Sequence, residues 1–454
     1  MDAICAAATP LGEGAVSIIR LSGADALTIA ALIFIPYNNT PVAEMKGYTC
    51  AYGKVVDGGE RIDDAVLTVF KAPHSYTGED VAEISCHGGV YVTKRILRLC
   101  AEKGARPAER GEFTRTAFVN GKLDLAQAES VMELISAQGE LTLRSANLTR
   151  TGELSQRIGE IRARLTKLLG ELAAWADYPD EDLPEVNTDT MTATVSECMK
   201  AAEKLIKTYD NGMLFKSGIP AAIVGKPNVG KSTLMNLLLG YERAIVTDIA
   251  GTTRDLLEET VRLGDITLRL TDTAGLRETD DAVEKIGVEL ARKRLGESAL
   301  VIAVFDGSTV PDDEDRQLIS QLRECGGSVI ALINKSDISD GGEYAELLSG
   351  LPYVIGISAK TGAGRGELEA ACAEIFGGID ADAGMIFVNE RQKFCLERAK
   401  SNLERALSAI EAGISPDMIT IDITEAAGAL AEITGERITD EIVSEVFSHF
   451  CVGK

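Results

Sequence analysis

Short, almost wholly apolar runs recur between positions 219 and 376, each followed by a segment with apolar residues at helical spacing. The runs fall at 221–224, 266–271, 299–305, 328–334 and 354–358. Strands that are apolar on both faces belong to a parallel sheet covered by helices on each side, so this region predicts a doubly wound α/β domain. Upstream the pattern differs. Residues 15–21 and 64–70 read as strands separated by Gly and Pro turns, which predicts a mixed α/β unit over 1–118. From Leu123 the spacing becomes helical and stays so to about 172, and another helix is predicted from about 190 to 211. Between them, Asp177-Tyr178-Pro179-Asp180-Glu181-Asp182-Leu183-Pro184 reads as a loop. Helical periodicity returns at 389–412 and 419–450. Helices on both sides of an α/β region predict one helical domain with the doubly wound domain inserted in it. The expected division is 1–118, 119–217, 218–378 and 379–454, the second and fourth pieces together forming the helical domain.

Composition narrows the class. A chain of 454 residues exceeds what one core usually holds, so several domains are expected. No apolar run reaches the eighteen or more residues of a membrane-crossing helix. The start, Met1-Asp2-Ala3-Ile4-Cys5, lacks the basic segment and apolar stretch of a secretion signal. Nine scattered cysteines fit reduced thiols better than a disulfide framework, and a cytoplasmic protein is expected. The formal net charge of −24 opposes any role resting on a general affinity for nucleic acid. The charge is uneven. Residues 1–120 hold 12 Lys+Arg against 14 Asp+Glu, so this segment is the best suited to meet an anion.

One motif carries most of the chemistry. Gly225-Lys226-Pro227-Asn228-Val229-Gly230-Lys231-Ser232 follows a predicted strand and opens a predicted helix, the context required of a phosphate loop. Glycines let backbone N–H groups wrap phosphates, and the helix adds its positive end. The nucleotide contacts expected here are Asn228, Val229, Gly230, Lys231, Ser232 and Thr233, with Lys231 bridging the β- and γ-phosphates and Ser232 binding Mg²⁺. Thr247, Asp248, Ile249, Ala250, Gly251, Thr252 and Thr253 lie in the polar loop after that helix, where a threonine completes the Mg²⁺ shell. Asp272-Thr273-Ala274-Gly275 ends a strand near the metal and the γ-phosphate. Asn334, Lys335 and Asp337 end another, and the Asp337 carboxylate can accept from the N1–H and 2-amino group of guanine, which adenine does not offer. Ser358, Ala359 and Lys360 end the next and would back the base. In this order, at successive strand ends, the motifs predict GTP as the ligand and its hydrolysis as the reaction.

In many such domains a glutamine after the Asp-x-x-Gly motif orients the attacking water; here that position is Leu276. Two residues can compensate. The side-chain oxygen of Asn228 can ligate a monovalent cation beside the phosphates, with backbone carbonyls of 247–252 completing its shell, or Asn228 can simply be a turn residue after Pro227. Glu284 can position water, or can belong to a solvated helical face, since its segment holds several acids.

A wider set of residues carries a family resemblance. It comprises Ala8-Thr9-Pro10, Gly12-Glu13-Gly14, Tyr76-Thr77-Gly78-Glu79-Asp80, His87-Gly88-Gly89 and Arg110-Gly111-Glu112-Phe113-Thr114. It continues with Asn120-Gly121-Lys122-Leu123-Asp124-Leu125-Ala126-Gln127-Ala128-Glu129, the nucleotide motifs above, and Phe450-Cys451-Val452-Gly453-Lys454. End to end, the chain resembles the MnmE (TrmE) family of tRNA-modification GTPases. The resemblance implies an amino-terminal folate-binding-like domain that dimerises, a helical domain, and an inserted nucleotide domain. It implies a homodimer that works with an MnmG-like flavoprotein, as a heterotetramer, to place an aminomethyl or carboxymethylaminomethyl group on the wobble uridine of certain tRNAs. It further implies K⁺-dependent hydrolysis, with Asn228, Thr247, Ile249 and Thr252 holding K⁺, Ser232 and Thr253 holding Mg²⁺, and Glu284 orienting water, so that Glu284 and Lys231 are the catalytic residues. For 5-formyltetrahydrofolate or a related tetrahydrofolate, the matching positions are Arg20, Glu83, Lys122 and Lys454.

Two other functions are compatible with the motifs. One is a regulatory or ribosome-assembly GTPase whose flanking domains bind RNA; the other is a folate-binding protein that uses GTP as a sensor. Cys451 invites a nucleophile reading, with His449 as the sole nearby base in sequence. His74 and His87 have no partner at metal-ligand spacing, so no zinc or iron site is expected.

Overall fold

Alternation in the amino-terminal strands arises because one sheet face is buried. In the computed structural model, which describes residues 3–177, 187–241, 258–264, 266–271, 299–325, 328–377 and 386–454, β1 (Ile4–Ala7), β2 (Val16–Ser22), β3 (Phe34–Pro36), β4 (Thr49–Asp57), β5 (Glu60–Phe70), β6 (Val81–His87) and β7 (Arg106–Pro107) form one sheet. Its order is β3-β4-β5-β6-β2-β1-β7, antiparallel except for the β1–β7 pair. Ala65, Leu67 and Val69 of β5 point into the core while Val66 is exposed, the period of two expected of a half-buried strand. Helices α1 (Ala26–Ile33) and α2 (Val90–Glu102) supply Ile33, Ile96 and Leu99 to the same core. Complete burial of each such side chain stabilises by about 2 kcal/mol. The strand predicted at 64–70 begins earlier, at Glu60, because Gly58 and Gly59 (φ +55° and +99°) form a two-residue hairpin that pairs Asp57 with Glu60.

The chain divides into two units. The first comprises Met1–Met132, Thr149–Val195 and Ser401–Lys454, and the second Glu133–Leu148 and Ser196–Lys400. In the first unit, α3 (Glu112–Val119) follows the sheet, and α6 (Glu153–Asp177) packs along α13 (Pro416–Thr434). Leu154, Ile158, Ile161, Leu165, Leu168 and Leu172 are buried on α6, and Ile419, Ile423, Ala426, Leu430 and Ile433 on α13, each set at three- and four-residue spacing. The helix predicted over 419–450 is two helices, α13 and α14 (Asp440–Ser448). Gly435 (φ +86°) closes α13, and a Cβ there would meet the Phe118 ring at 2.9 Å. The Thr439 hydroxyl then accepts from the Ile442 N–H and starts α14. Helices α4 (Leu125–Ser136), α5 (Glu140–Arg150), α7 (Thr188–Ser217) and α12 (Glu390–Glu411) contribute residues to both units. The predicted acidic loop lies outside the described residues from position 178 onward.

The second unit contains the doubly wound sheet. Among the described residues its strands are β8 (Ile219–Val224), β9 (Glu258–Leu263), β10 (Ile266–Thr271), β11 (Leu300–Asp306), β12 (Ser328–Asn334) and β13 (Tyr353–Gly356), in the order β13-β12-β11-β8-β10-β9. All pairs are parallel except β9–β10. Every residue of β11 is buried, as the continuous apolar run requires of a strand covered on both faces. The covering helices are α8 (Lys231–Tyr241), α9 (Asp313–Arg323), α10 (Gly342–Leu348) and α11 (Arg365–Gly377). Sequence patterning misses β9, an edge strand that buries Val261 and Leu263 on one face only. The strand predicted at 354–358 ends at Gly356, because the Ser358 N–H turns to the Ala363 carbonyl. The sheet order reverses at β8, which places the loop after β8 at the topological switch point where α/β sheets bind ligands. No helix among the described residues is long and apolar enough to cross a membrane.

Candidate functional site

The loop at the switch point is built around close backbone approach. A Cβ on Gly225 (φ +148°) would lie 2.4 Å from the Val304 carbonyl oxygen, and one on Gly230 (φ +102°) 2.2 Å from Asn334 Nδ2. Only glycine fits either position. Asn228 bends the loop in the left-handed region (φ +62°), which asparagine tolerates, and its side chain is exposed. Ser232 and Thr233 stand exposed on the first turn of α8, at its positive end. Lys231 Nζ donates to the carbonyls of Gly225 and Lys226, both at 2.6 Å. Burial holds its pKa below the ordinary lysine value, so a phosphate offering negative charge would be a strong competitor for this ammonium.

The base-side motifs are joined to this loop through one residue. Buried Asn334 donates from Nδ2 to the Val229 carbonyl at 2.8 Å and accepts on Oδ1 from the Ala359 N–H at 2.9 Å. Its side chain thus ties β12 to the phosphate loop and to the 358–360 turn. Lys335 (φ +67°) forms an ion pair with Asp306 at the end of β11. Burial alone would raise the Asp306 pKa, but hydrogen bonds from Lys335 and from the Ser308 hydroxyl and N–H outweigh it and lower it. Asp337 is exposed, and its Oδ1 accepts from the Ser358 hydroxyl at 2.7 Å, which orients the carboxylate. Ser358 also accepts from the Thr361 N–H at 3.3 Å, and Lys360 is exposed beside it.

Of the predicted nucleotide residues, Asn228, Val229, Gly230, Lys231, Ser232, Thr233, Asn334, Lys335, Asp337, Ser358, Ala359 and Lys360 are described. Thr247, Asp248, Ile249, Ala250, Gly251, Thr252, Thr253, Asp272, Thr273, Ala274, Gly275, Leu276 and Glu284 lie outside the described residues. Three side chains at this site, Asp312, Asp315 and Tyr344, went unremarked in the sequence, and Lys226 was read only as a member of the loop motif. Lys226 Nζ binds Asp312 at 2.6 Å and Asp315 at 2.7 Å, and Asp315 also accepts from the Tyr344 hydroxyl at 2.8 Å. The one legible signal was Asp312-Asp313-Glu314-Asp315 before an apolar-periodic helix, a capping-box pattern.

In the first unit, Arg20 and Glu83 are direct cross-strand partners on β2 and β6, and Arg20 Nε meets Glu83 Oε1 at 2.8 Å. Arg20 also donates to the Gly453 carbonyl at 3.2 Å, with its guanidinium 5.7 Å from the Tyr76 ring centre and 5.6 Å from that of Phe113. The Phe113 N–H donates to the Lys454 carbonyl at 3.2 Å, and a Cβ on Gly453 would lie 2.2 Å from the Ala7 carbonyl oxygen. The carboxyl-terminal residues are therefore seated beside Arg20. Lys122 Nζ donates to the Pro73 carbonyl at 3.0 Å, on the loop that carries Tyr76. Cys451 is exposed, while His449 pairs with Glu445 at 3.2 Å. Burial pushes Cys5 and Cys86 up to about 11, which leaves those thiols unreactive.

A largely parallel sheet carrying the phosphate loop at its switch point, hydrogen-bonded through Asn334 to a guanine-type motif two strands away on β12, defines a P-loop GTPase. Comparison with known proteins agrees. Residues 3–122 match the family model described as the GTP-binding protein TrmE N-terminus, and residues 125–451 the one described as the MnmE helical domain. The chain is 43% identical over its whole length to the tRNA modification GTPase MnmE of Symbiobacterium thermophilum, covering 99% of that protein. It is 42% identical to that of Moorella thermoacetica, with 100% of this chain and 99% of the relative covered. Among solved structures, the G domain of the T. maritima FeoB iron transporter is 29% identical over 35% of this chain and 98% of its own, with a TM-score of 0.27, too low to argue from. The chain belongs to the MnmE family of tRNA modification GTPases, and it is a GTP hydrolase.

Proposed function

We propose that GTP hydrolysis by this chain is the timing step of a tRNA modification at the wobble uridine, carried out with an MnmG-like flavoprotein. The observation that carries this reading is identity of 43% and 42%, along the full chain, to proteins named tRNA modification GTPases. The proposed division is a folate-binding-like domain over 1–118, a helical domain over 119–217 and 379–454, and a nucleotide domain over 218–378 inserted in it. The working form is a cytoplasmic homodimer, joined by its partner into a heterotetramer.

At the nucleotide, the phosphate-loop N–H groups and the first turn of α8 hold the phosphates, and Lys231 spans the β- and γ-oxygens. Asp337 reads the guanine edge, with Ser358 keeping its carboxylate in place. Leu276 offers no hydrogen bond to water, and the family resemblance gives the water-orienting role to Glu284. Hard oxygen donors suit both implied cations: Ser232 presents an exposed hydroxyl on α8, and Asn228 an exposed amide on the loop bend. Ser232 and Thr253 would hold Mg²⁺, and Asn228, Thr247, Ile249 and Thr252 would hold K⁺; both cations, when bound, neutralise charge on the phosphate oxygens. Arg20, Glu83, Lys122 and Lys454 would bind 5-formyltetrahydrofolate or a related tetrahydrofolate. A carboxylate suits the amide-like edge of a pterin, and cations suit glutamyl carboxylates.

Nucleoside analysis of tRNA from a strain lacking this gene tests the reading. Loss of the modified wobble uridine is expected; an unchanged nucleoside composition would overturn it.

A further inference from the structure

The variable positions of a phosphate loop are free to differ because their side chains ordinarily touch nothing in the ligand. Lys226 occupies such a position, yet its side chain is held by two carboxylates. Its ammonium lies 2.6 Å from Asp312 Oδ2 and 2.7 Å from Asp315 Oδ2. Asp315 is 1% exposed, and the same oxygen accepts from the Tyr344 hydroxyl at 2.8 Å and the Asp312 N–H at 3.2 Å. Three donors on one buried oxygen satisfy a carboxylate that would otherwise be costly to bury. Tyr344, also 1% exposed, is fixed against the Phe305 ring at 5.5 Å between centres. Asp312 uses its other oxygen to cap α9, accepting from the Glu314 and Asp315 N–H groups at 3.0 Å. Burial works against the Lys226 charge, but the two carboxylates prevail and raise its pKa, so the ammonium stays charged at neutral pH.

The backbone of Lys226 faces the chemistry. Its carbonyl, with that of Gly225, receives the Lys231 ammonium at 2.6 Å. The side chain is thus anchored to α9, which Tyr344 ties through Asp315 to α10, while the carbonyl receives the Lys231 ammonium. We propose that Lys226 is a positioning residue for GTP binding: the Asp312–Asp315–Tyr344 clamp pre-shapes the phosphate loop and holds Lys231 in reach of the phosphates. Without the clamp, part of the loop's ordering must be met when the nucleotide binds, which weakens GDP and GTP alike and leaves the chemical step nearly intact.

The inference rests on the GTPase reading, and one set of measurements on the full chain separates the two. Affinity for GDP bearing a fluorescent ribose substituent is titrated, and GTP turnover gives KM and kcat. Lys226→Ala is expected to weaken GDP binding and raise the GTP KM by about tenfold, with kcat within about twofold of the parent. Lys226→Arg, which can reach both carboxylates, returns both constants to within about threefold of the parent. Asp312→Asn keeps the helix cap, costs about threefold alone, and costs nothing further when added to Lys226→Ala. Parental KM and GDP affinity in Lys226→Ala overturn the inference, as do additive losses in the double variant. A fall in kcat at unchanged KM also overturns it, since that marks only a smaller folded fraction. A parent protein without GTP turnover defeats the GTPase reading itself. Should Lys226→Ala fail to fold, Asp312→Asn compared with Lys226→Arg decides the matter through the same two constants.

Discussion

Asp337→Asn isolates base selection from everything else the nucleotide site does. The carboxylate is exposed to an entering base, and the 2.7 Å bond from the Ser358 hydroxyl fixes its plane. In the proposed site the N1–H and 2-amino groups of guanine would each donate to it a charge-assisted bond worth about 1.5–3 kcal/mol. Losing both costs roughly 3–6 kcal/mol, or two to four powers of ten in affinity. The exposed position screens these bonds, so the low end, roughly a hundredfold rise in the GTP KM, is the expected outcome. Asparagine keeps the Ser358 bond through its oxygen but turns an NH₂ toward the base, where the guanine groups also donate. Xanthine carries a carbonyl at that carbon in place of the amino group and accepts from the new amide. Steady-state hydrolysis of GTP and xanthosine triphosphate by parent and variant reads both effects. A variant with parental KM for GTP, or with no gain on the xanthine nucleotide, would refute the role given to Asp337.

Other outcomes follow from the same geometry. Asn334→Ala strands the Val229 carbonyl and the Ala359 N–H, both at buried residues, and is expected to destabilise by roughly 2–5 kcal/mol in urea unfolding; a loss below about 0.5 kcal/mol would show that Asn334 ties nothing together. Lys226 and the Asp315 N–H hold the Asp312 pKa at about 2, so its contribution to stability is complete above the ordinary 3.8 and is lost only as pH falls through the folded value. The stability difference between parent and Asp312→Asn should therefore be flat from pH 7 to 4 and shrink toward pH 2; shrinkage already complete by pH 5 would contradict the pairing. Replacing K⁺ by Na⁺ should slow GTP turnover about tenfold or more, and Asn228→Ala should abolish the difference between the salts. Equal parental rates in both salts would remove the cation from the mechanism.

The second unit is legible in the sequence because its determinants are local. Strands buried on both faces announce themselves as apolar runs, and the phosphate loop needs glycine wherever its backbone meets Val304 and Asn334. The edge strand β9 shows no such run, and among its residues of described burial Val261 and Leu263 are the buried ones. Long-range pairing is not legible in the same way. Nothing near position 226 signals that Asp312 and Asp315, far along the chain, meet its ammonium, although the capping box hints at their helix. Asn334 is readable as part of a base motif, yet its side chain spends both its polar atoms on the phosphate loop and the 358–360 turn. Around Arg20, the charges are visible in the sequence, but their meeting with the carboxyl-terminal residues depends on sheet register and on Gly453 fitting against Ala7. The break at Gly435 was missed because helical periodicity continues past it, while Phe118 and Leu125 leave no room for a side chain.

The link between nucleotide turnover and tRNA is tested most directly by returning the gene, with and without its phosphate-binding lysine, to a strain that lacks it. Wobble-uridine nucleosides are then measured in bulk tRNA. The parental gene should restore the modification, and Lys231→Ala, expressed at the same level, should not. Full restoration by Lys231→Ala would contradict the claim that this site drives the reaction.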